Sequence, residues 1–213
     1  MKKLLIPLIF SLIAAWSCDV GTTYSATNVQ DIVTIVEHQL VNDSGVLYTV
    51  TSAPKDMPEL QEGHRYYLFF DILNQNFEID IKSVSPIDII IPQEDTGEIV
   101  EAHDPVTIQF NYIGPKYIDL AFNYYYDPTS NCAHDVFVRS EYENRMLKLT
   151  LYHDGNDENP TTMSEDLLKQ KTRIISISLG EKEVTSVSLT LNLLGTDEKG
   201  NPAIITKTYT TAN

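Results

Sequence analysis

Two segments alternate so strictly that they leave little choice of local structure. In the run from Tyr117 to Tyr124, Ile118, Leu120, Phe122 and Tyr124 fall on one side, with Asp119 and Asn123 opposite. From Val184 to Leu193, the apolar set Val187, Leu189, Leu191 and Leu193 keeps the same period of two. A helix would scatter these residues around its circumference, whereas a strand turns successive side chains to opposite faces. Each segment is therefore expected to be a strand with a core on one side only, the condition that antiparallel sheets satisfy.

Short runs rich in Val, Ile, Thr, Tyr and Phe recur along the rest of the chain and predict further strands. They lie near Ile32 to Glu37, Val46 to Thr51, Arg65 to Leu73, and Phe77 to Ile91 with a break at Pro86. After the acidic, proline-bounded stretch Pro92 to Pro105 come Val106 to Tyr112, Tyr117 to Tyr126, His134 to Glu141, Met146 to His153, Arg173 to Leu179, Val184 to Leu194 and Ile204 to Thr210. The second group, seven short strands at even spacing, predicts an antiparallel β-sandwich. One short helix is expected from Thr162, where Thr162 and Glu165 form a capping box and Lys169 and Lys171 suit the negative end of the dipole. The fold class is all-β, with a strand-rich unit over residues 31–92, an acidic linker at 93–105 and a β-sandwich over 106–213.

The N-terminus sets the address. Met1-Lys2-Lys3 is followed by a mostly apolar run from Leu4 to Trp16, ending Ala15-Trp16-Ser17-Cys18. Cations, an apolar stretch and small residues before the cut form an export signal, and the stretch is shorter than the roughly 17 to 25 residues that span a bilayer. A signal peptide is expected over residues 1–17. Ala15 and Ser17 would also suit an ordinary signal peptidase, so plain secretion competes with lipidation. The thiol of Cys18 is the nucleophile that a lipid-transfer enzyme needs, and it is assigned as the lipidation site. Residues 18–30 are then expected to be a flexible tether.

The net charge of −15 at neutral pH excludes a nucleic-acid partner, because such binding needs Lys and Arg to replace counterions. Only two cysteines are present. With Cys18 lipidated, Cys132 is expected to be a half-buried loop thiol, and the fold must stand without an internal disulfide.

Catalytic motifs are missing: there is no G-x-S-x-G elbow, H-E-x-x-H helix, Walker loop or dinucleotide fingerprint. The pairs His103-Asp104, His134-Asp135 and His153-Asp154 hold zinc-ligand types, but adjacent strand residues point to opposite faces. His134 and His153 could meet if their strands pair; they are expected to be surface imidazoles. Asp154, Asn156, Asp157 and Glu158 gather hard oxygens suited to Ca²⁺, yet they miss the EF-hand spacing, and a polar turn between strands is the favoured reading. No cofactor or metal is assigned. Twelve tyrosines remain, among them Tyr66-Tyr67 and Tyr124-Tyr125-Tyr126. Tyr125 and Tyr67 are the candidate ligand-binding residues, since exposed rings stack on sugars or anchor interfaces, although tyrosine also covers sheet faces without any ligand.

The run Gly63-His-Arg65-Tyr-Tyr-Leu-Phe-Phe leading into Phe77-Glu-Ile-Asp-Ile-Lys-Ser-Val, then His134-Asp-Val-Phe-Val and Met146-Leu-Lys-Leu-Thr-Leu-Tyr-His153-Asp-Gly-Asn-Asp157, resembles the NigD-like lipoproteins of Bacteroidetes. The resemblance implies a small N-terminal OB-like β-barrel, a C-terminal β-sandwich and a cell-envelope address, with the outer membrane expected and its side left open. It carries over no functional residues. The expected function is that of a non-enzymatic envelope lipoprotein, a binding or assembly module held to the membrane by lipid, with envelope proteins or glycans as partners. A glycan-binding lipoprotein is the alternative.

Overall fold

A closed ring of five strands comes first among the residues that the computed structural model describes, which are 24–97, 104–130, 132–155, 158, 167–180, 184–196 and 202–210. Its members are β1 (Ala26–Val36), β2 (Gln39–Asn42), β3 (Leu47–Ser52), β4 (Arg65–Ile72) and β5 (Glu78–Ile90). Each pairs antiparallel with its ring neighbour except β3 and β5, which run parallel and shut the barrel. The resulting order β1-β2-β3-β5-β4 is that of an OB-like barrel. Alternation fills its interior: Leu68, Phe70 and Ile72 of β4 are buried beside Val33 and Ile79. Each such side chain contributes about 1.5–3 kcal/mol relative to exposure.

The second unit comprises β6 (Gln93–Glu94), β7 (Thr107–Ile113), β8 (Tyr117–Tyr126), β9 (Asp135–Glu143), β10 (Met146–Asp154), β11 (Lys169–Ser178), β12 (Ser186–Thr196) and β13 (Pro202–Thr210). One layer is β11-β8-β7 and the other β13-β12-β10-β9-β6. Ile118, Phe122, Ile175 and Ile177 from the first meet Val138, Leu149 and Val187 from the second. Most pairings are antiparallel; β10 with β12, β11 with β5 and β6 with β9 are parallel.

The two units share a strand. The end of β5 pairs with β11 through Ile175↔Asp88, Ser176↔Ile89 and Ile177↔Ile90, so barrel and half-sandwich form one eight-stranded sheet. The break expected at Pro86 is absent. Pro86 falls between the stretch of β5 paired to β3 and the stretch paired to β11, where that side of the strand has no ladder donor to supply.

Several expectations change. β1 starts at Ala26, so residues 26–30 of the expected tether are barrel wall, with Val29 opposite Phe70. Gln93 and Glu94 of the expected linker pair with β9. Lys169 and Lys171 open β11 and do not end a helix, because the ladder with Tyr126 and Tyr124 claims their backbone groups; Thr162 and Glu165 lie outside the described residues. So do the leader and Cys18. No helix among the described residues is long and apolar enough to cross a membrane.

Strand β2 carried no turn signal. The two-residue loop Glu37-His38 before it has positive φ at both positions (51° and 63°) without a Gly or Asn. Glu62 offsets that strain by accepting the backbone N–H groups of Glu37 and His38 at 2.7 and 3.0 Å.

A candidate binding cleft at the seam of barrel and sandwich

On the polar face of β8, Asp119 does not meet water. Asp119 is 1% exposed and lies under Arg65 of β4, which is 0% exposed. The five guanidinium N–H groups all find acceptors. Nε donates to Ser176 Oγ at 2.8 Å, Nη1 to Thr34 Oγ1 at 3.0 Å and Asp43 Oδ1 at 2.8 Å. Nη2 donates to Asp43 Oδ2 at 2.9 Å and to both oxygens of Asp119 at 3.0 and 2.8 Å. The Tyr117 ring closes the network, its centroid 4.1 Å from Arg65 Cζ. Thr34, Asp43 and Arg65 belong to the barrel, and Tyr117, Asp119 and Ser176 to the sandwich, so this one side chain clamps the units together.

Burial alone would lower the Arg65 pKa, but hydrogen bonds and charge from Asp43 and Asp119 raise it, and the group stays cationic. Burial pushes the Asp119 carboxyl up to about 6, against the pull of Arg65 and the Ser176 hydrogen bond, and the Asp43 charge adds to the rise.

Beside the clamp opens a cleft of about 580 Å³, within the size range of ligand sites. Its rings are Tyr67 from β4 and Phe110 and Tyr112 from β7; its carboxylates are Asp31, Asp43 and Asp119. Phe110 is 38% and Tyr112 47% exposed, high for such large side chains. Asp31 accepts the Tyr48 hydroxyl at 2.7 Å and Asn42 Nδ2 at 2.8 Å, which holds the β1–β2 wall rigid. Burial raises the Tyr67 phenol pKa, so its hydroxyl stays protonated and able to donate. The polar atoms of the walls mostly serve the scaffold.

A second cluster lies at the far end of the sandwich. Antiparallel pairing of β9 and β10 brings the rings of His134 and His153 together, stacked at 5.4 Å with Nδ1 and Nε2 3.2 Å apart. His153 is buried and His134 half-buried, contrary to the surface expectation. His134 Nε2 is 3.1 Å from Glu158 Oε2, and His153 Nδ1 is 3.4 Å from the Asp104 carbonyl. Glu158 also accepts the Asp127 N–H at 2.7 Å and the Ser130 hydroxyl. A cavity of about 380 Å³ adjoins, with Tyr124, Tyr126, Lys171 and Arg173 in its walls.

Of the candidates read from sequence, Tyr67 lines the seam cleft. Tyr125 is half-buried on β8 and lines neither cavity. Of the Ca²⁺ candidates, Asp154 is paired into β10 and Glu158 faces His134, while Asn156 and Asp157 lie outside the described residues, as does His103. No group of three or more His, Cys, Asp or Glu among the described residues could hold a metal ion. Cys132 is exposed, not half-buried. Arg65, Asp43, Phe110 and Tyr112 went unnoticed as site residues; the one available signal was an arginine opening a strongly apolar strand.

Barrel, sandwich and clamped seam define the class: a two-unit all-β protein built on one shared sheet. The chain belongs to the NigD-like family, its residues 89–206 matching the NigD-like C-terminal beta sandwich domain. Several solved structures share the fold. A protein named as a candidate toxin-related protein from Parabacteroides distasonis is 16% identical, with a TM-score of 0.62 over 86% of this chain and 93% of its own. A NigD-like immunity protein from Bacteroides caccae is 14% identical, with a TM-score of 0.58 over 90% and 98%. A protein named as a candidate lipoprotein from Bacteroides fragilis is 10% identical, with a TM-score of 0.61 over 88% and 99%. No curated protein matches the sequence.

Proposed function

We propose that this chain is a non-enzymatic, lipid-anchored cell-envelope protein that acts as a binding module through the cleft between barrel and sandwich. The carrying observation is the cleft itself, a ligand-sized space with three rings in its walls, seated on a fully hydrogen-bonded arginine clamp. A pre-formed wall loses little entropy when it binds, so even modest contacts yield affinity. The cleft carboxylates are held by Arg65, Ser176, Tyr48 and Asn42, which suits recognition better than proton transfer. The export signal ending at Cys18 supports the anchor, and the names of the structural relatives, a candidate lipoprotein and an immunity protein, point the same way.

Two variants test the reading. With a C-terminal tag, crosslinked native envelopes should yield a partner or bound glycan with the native chain, and lose it with Tyr67→Ala. Capture unchanged by Tyr67→Ala would remove the cleft from the proposal. Cys18→Ala should leave washed membranes, and its retention there would remove the lipid anchor.

A further inference from the structure

We infer that the seam cleft receives arginine or lysine side chains from a basic segment of a partner protein. The inference rests on the binding-module reading and names what the same cleft takes. Charge is the first ground. Asp31, Asp43 and Asp119 bring three carboxylates to the cleft, and among the described residues no lysine or arginine lines it. The nearest cation, Arg65, is fully buried behind Asp43 and Asp119 and neutralises only one of the three. The cleft is thus net negative in a chain whose overall charge is −15. Field lines from such a body converge in a concave, low-dielectric recess and draw in cations.

The rings supply the second ground. Tyr67, Phe110 and Tyr112 line the same cleft, and an aromatic face attracts a guanidinium or ammonium through its quadrupole. This seam already uses that contact internally, with Arg65 over Tyr117. Carboxylates alone would hold any cation weakly, because water competes. Rings alone would accept any apolar group. Their combination selects a long side chain with an apolar stem and a charged end, which can lie along the rings and direct its head to Asp31. The free hydroxyl-rich face of a sugar would use the rings but gain nothing from the net charge.

The test is calorimetry on the full mature chain, residues 18–213 with Cys18→Ala, using acetylated tri-arginine amide, acetylated tri-glutamate amide and cellotriose as probes. The arginine peptide should bind with one-to-one stoichiometry, and the glutamate peptide should not. The double variant Phe110→Ala/Tyr112→Ala leaves the charge unchanged, and both positions are exposed enough for the fold to survive. It should weaken arginine-peptide binding roughly tenfold. Equal affinity in that variant would mean that general surface acidity holds the peptide, and would overturn the inference. Cellotriose binding without peptide binding would also overturn it, while the binding-module reading stands. Binding of no probe, together with envelope capture that is indifferent to the ring variant, would remove both.

Discussion

Arg65 Nη2 lies 3.0 and 2.8 Å from the two carboxylate oxygens of Asp119, across a seam where neither side chain reaches water. Charges taken out of water at this depth lose more hydration than their attraction returns unless every donor is matched. Here every donor is matched. The pair therefore fixes how barrel and sandwich meet more than it adds net stability.

Breaking one side of it should be far worse than removing both. Asp119→Ala leaves a buried guanidinium with only Asp43 to balance it and is expected to cost about 3–5 kcal/mol in urea unfolding. The double variant Arg65→Met/Asp119→Leu should recover most of that loss. A double variant as unstable as the single would show that the ion pair itself, not the stranded charge, sets the stability.

Gly114, at the turn between β7 and β8, is packed against the clamp. A Cβ there would stand 2.9 Å from Asp43 Oδ2 and 3.2 Å from its Cβ and Cγ. Gly114→Ala must move the carboxylate that Arg65 holds, and a loss of about 1–3 kcal/mol is expected, in the range of overpacked sites. In a cycle with Asp43→Ala the two losses should not add. Additive losses would mean that the turn relaxes without touching Asp43.

Acid should loosen the histidine cluster. Burial lowers the His153 pKa below its ordinary 6.5, and the neighbouring charges of His134 and Arg173 lower it further, against the opposing pull of Asp104. The unfolded chain then takes up a proton first, so stability present above the ordinary histidine range is lost as the pH falls through it. Burial pushes the Glu158 pKa up, but hydrogen bonds from Ser130, the Asp127 N–H, His134 and Cys132 hold it below 4.5, and its contribution is lost at still lower pH. Asp119 works the other way: with its folded pKa about 6 against 3.8, it gains stability as the pH falls between those values. The informative comparison is therefore urea unfolding of the native chain against His153→Gln, between pH 7.5 and pH 5. The native chain should show the steeper decline over the histidine range. Parallel curves would rule out His153 as the source.

Cys132 is exposed in the loop between β8 and β9. A maleimide should label it in the native protein without denaturant. Labelling that required denaturant would contradict the exposed placement.

The pattern of strands was legible because it is local. Alternation along β8 and β12 depends only on neighbours in the chain, and it assigned the inward faces of Phe122 and Val187 correctly. Strand β2 and the start of β1 were missed for an equally local reason: Glu37-His38 lacks the usual turn residues, and residues 26–30 lack an apolar period. Tyr67 could be read as a candidate because ring chemistry belongs to the residue itself.

The seam could not be read this way. Asp119 sits on the polar side of an alternating strand, where period two predicts water, and only the barrel laid across it turns that face inward. Its partners Arg65 and Ser176 stand 54 and 57 residues away. Nothing in a local window couples such positions, because their interaction exists only once β5 has passed from the barrel to β11 and brought β4 over β8. By itself the sequence determined an acidic, all-β chain and the inward faces of β8 and β12. Tertiary structure alone decided which polar residues would be buried as a clamp, and so where the cleft would open, since burial of a charge depends on what covers it and not on what adjoins it in the chain.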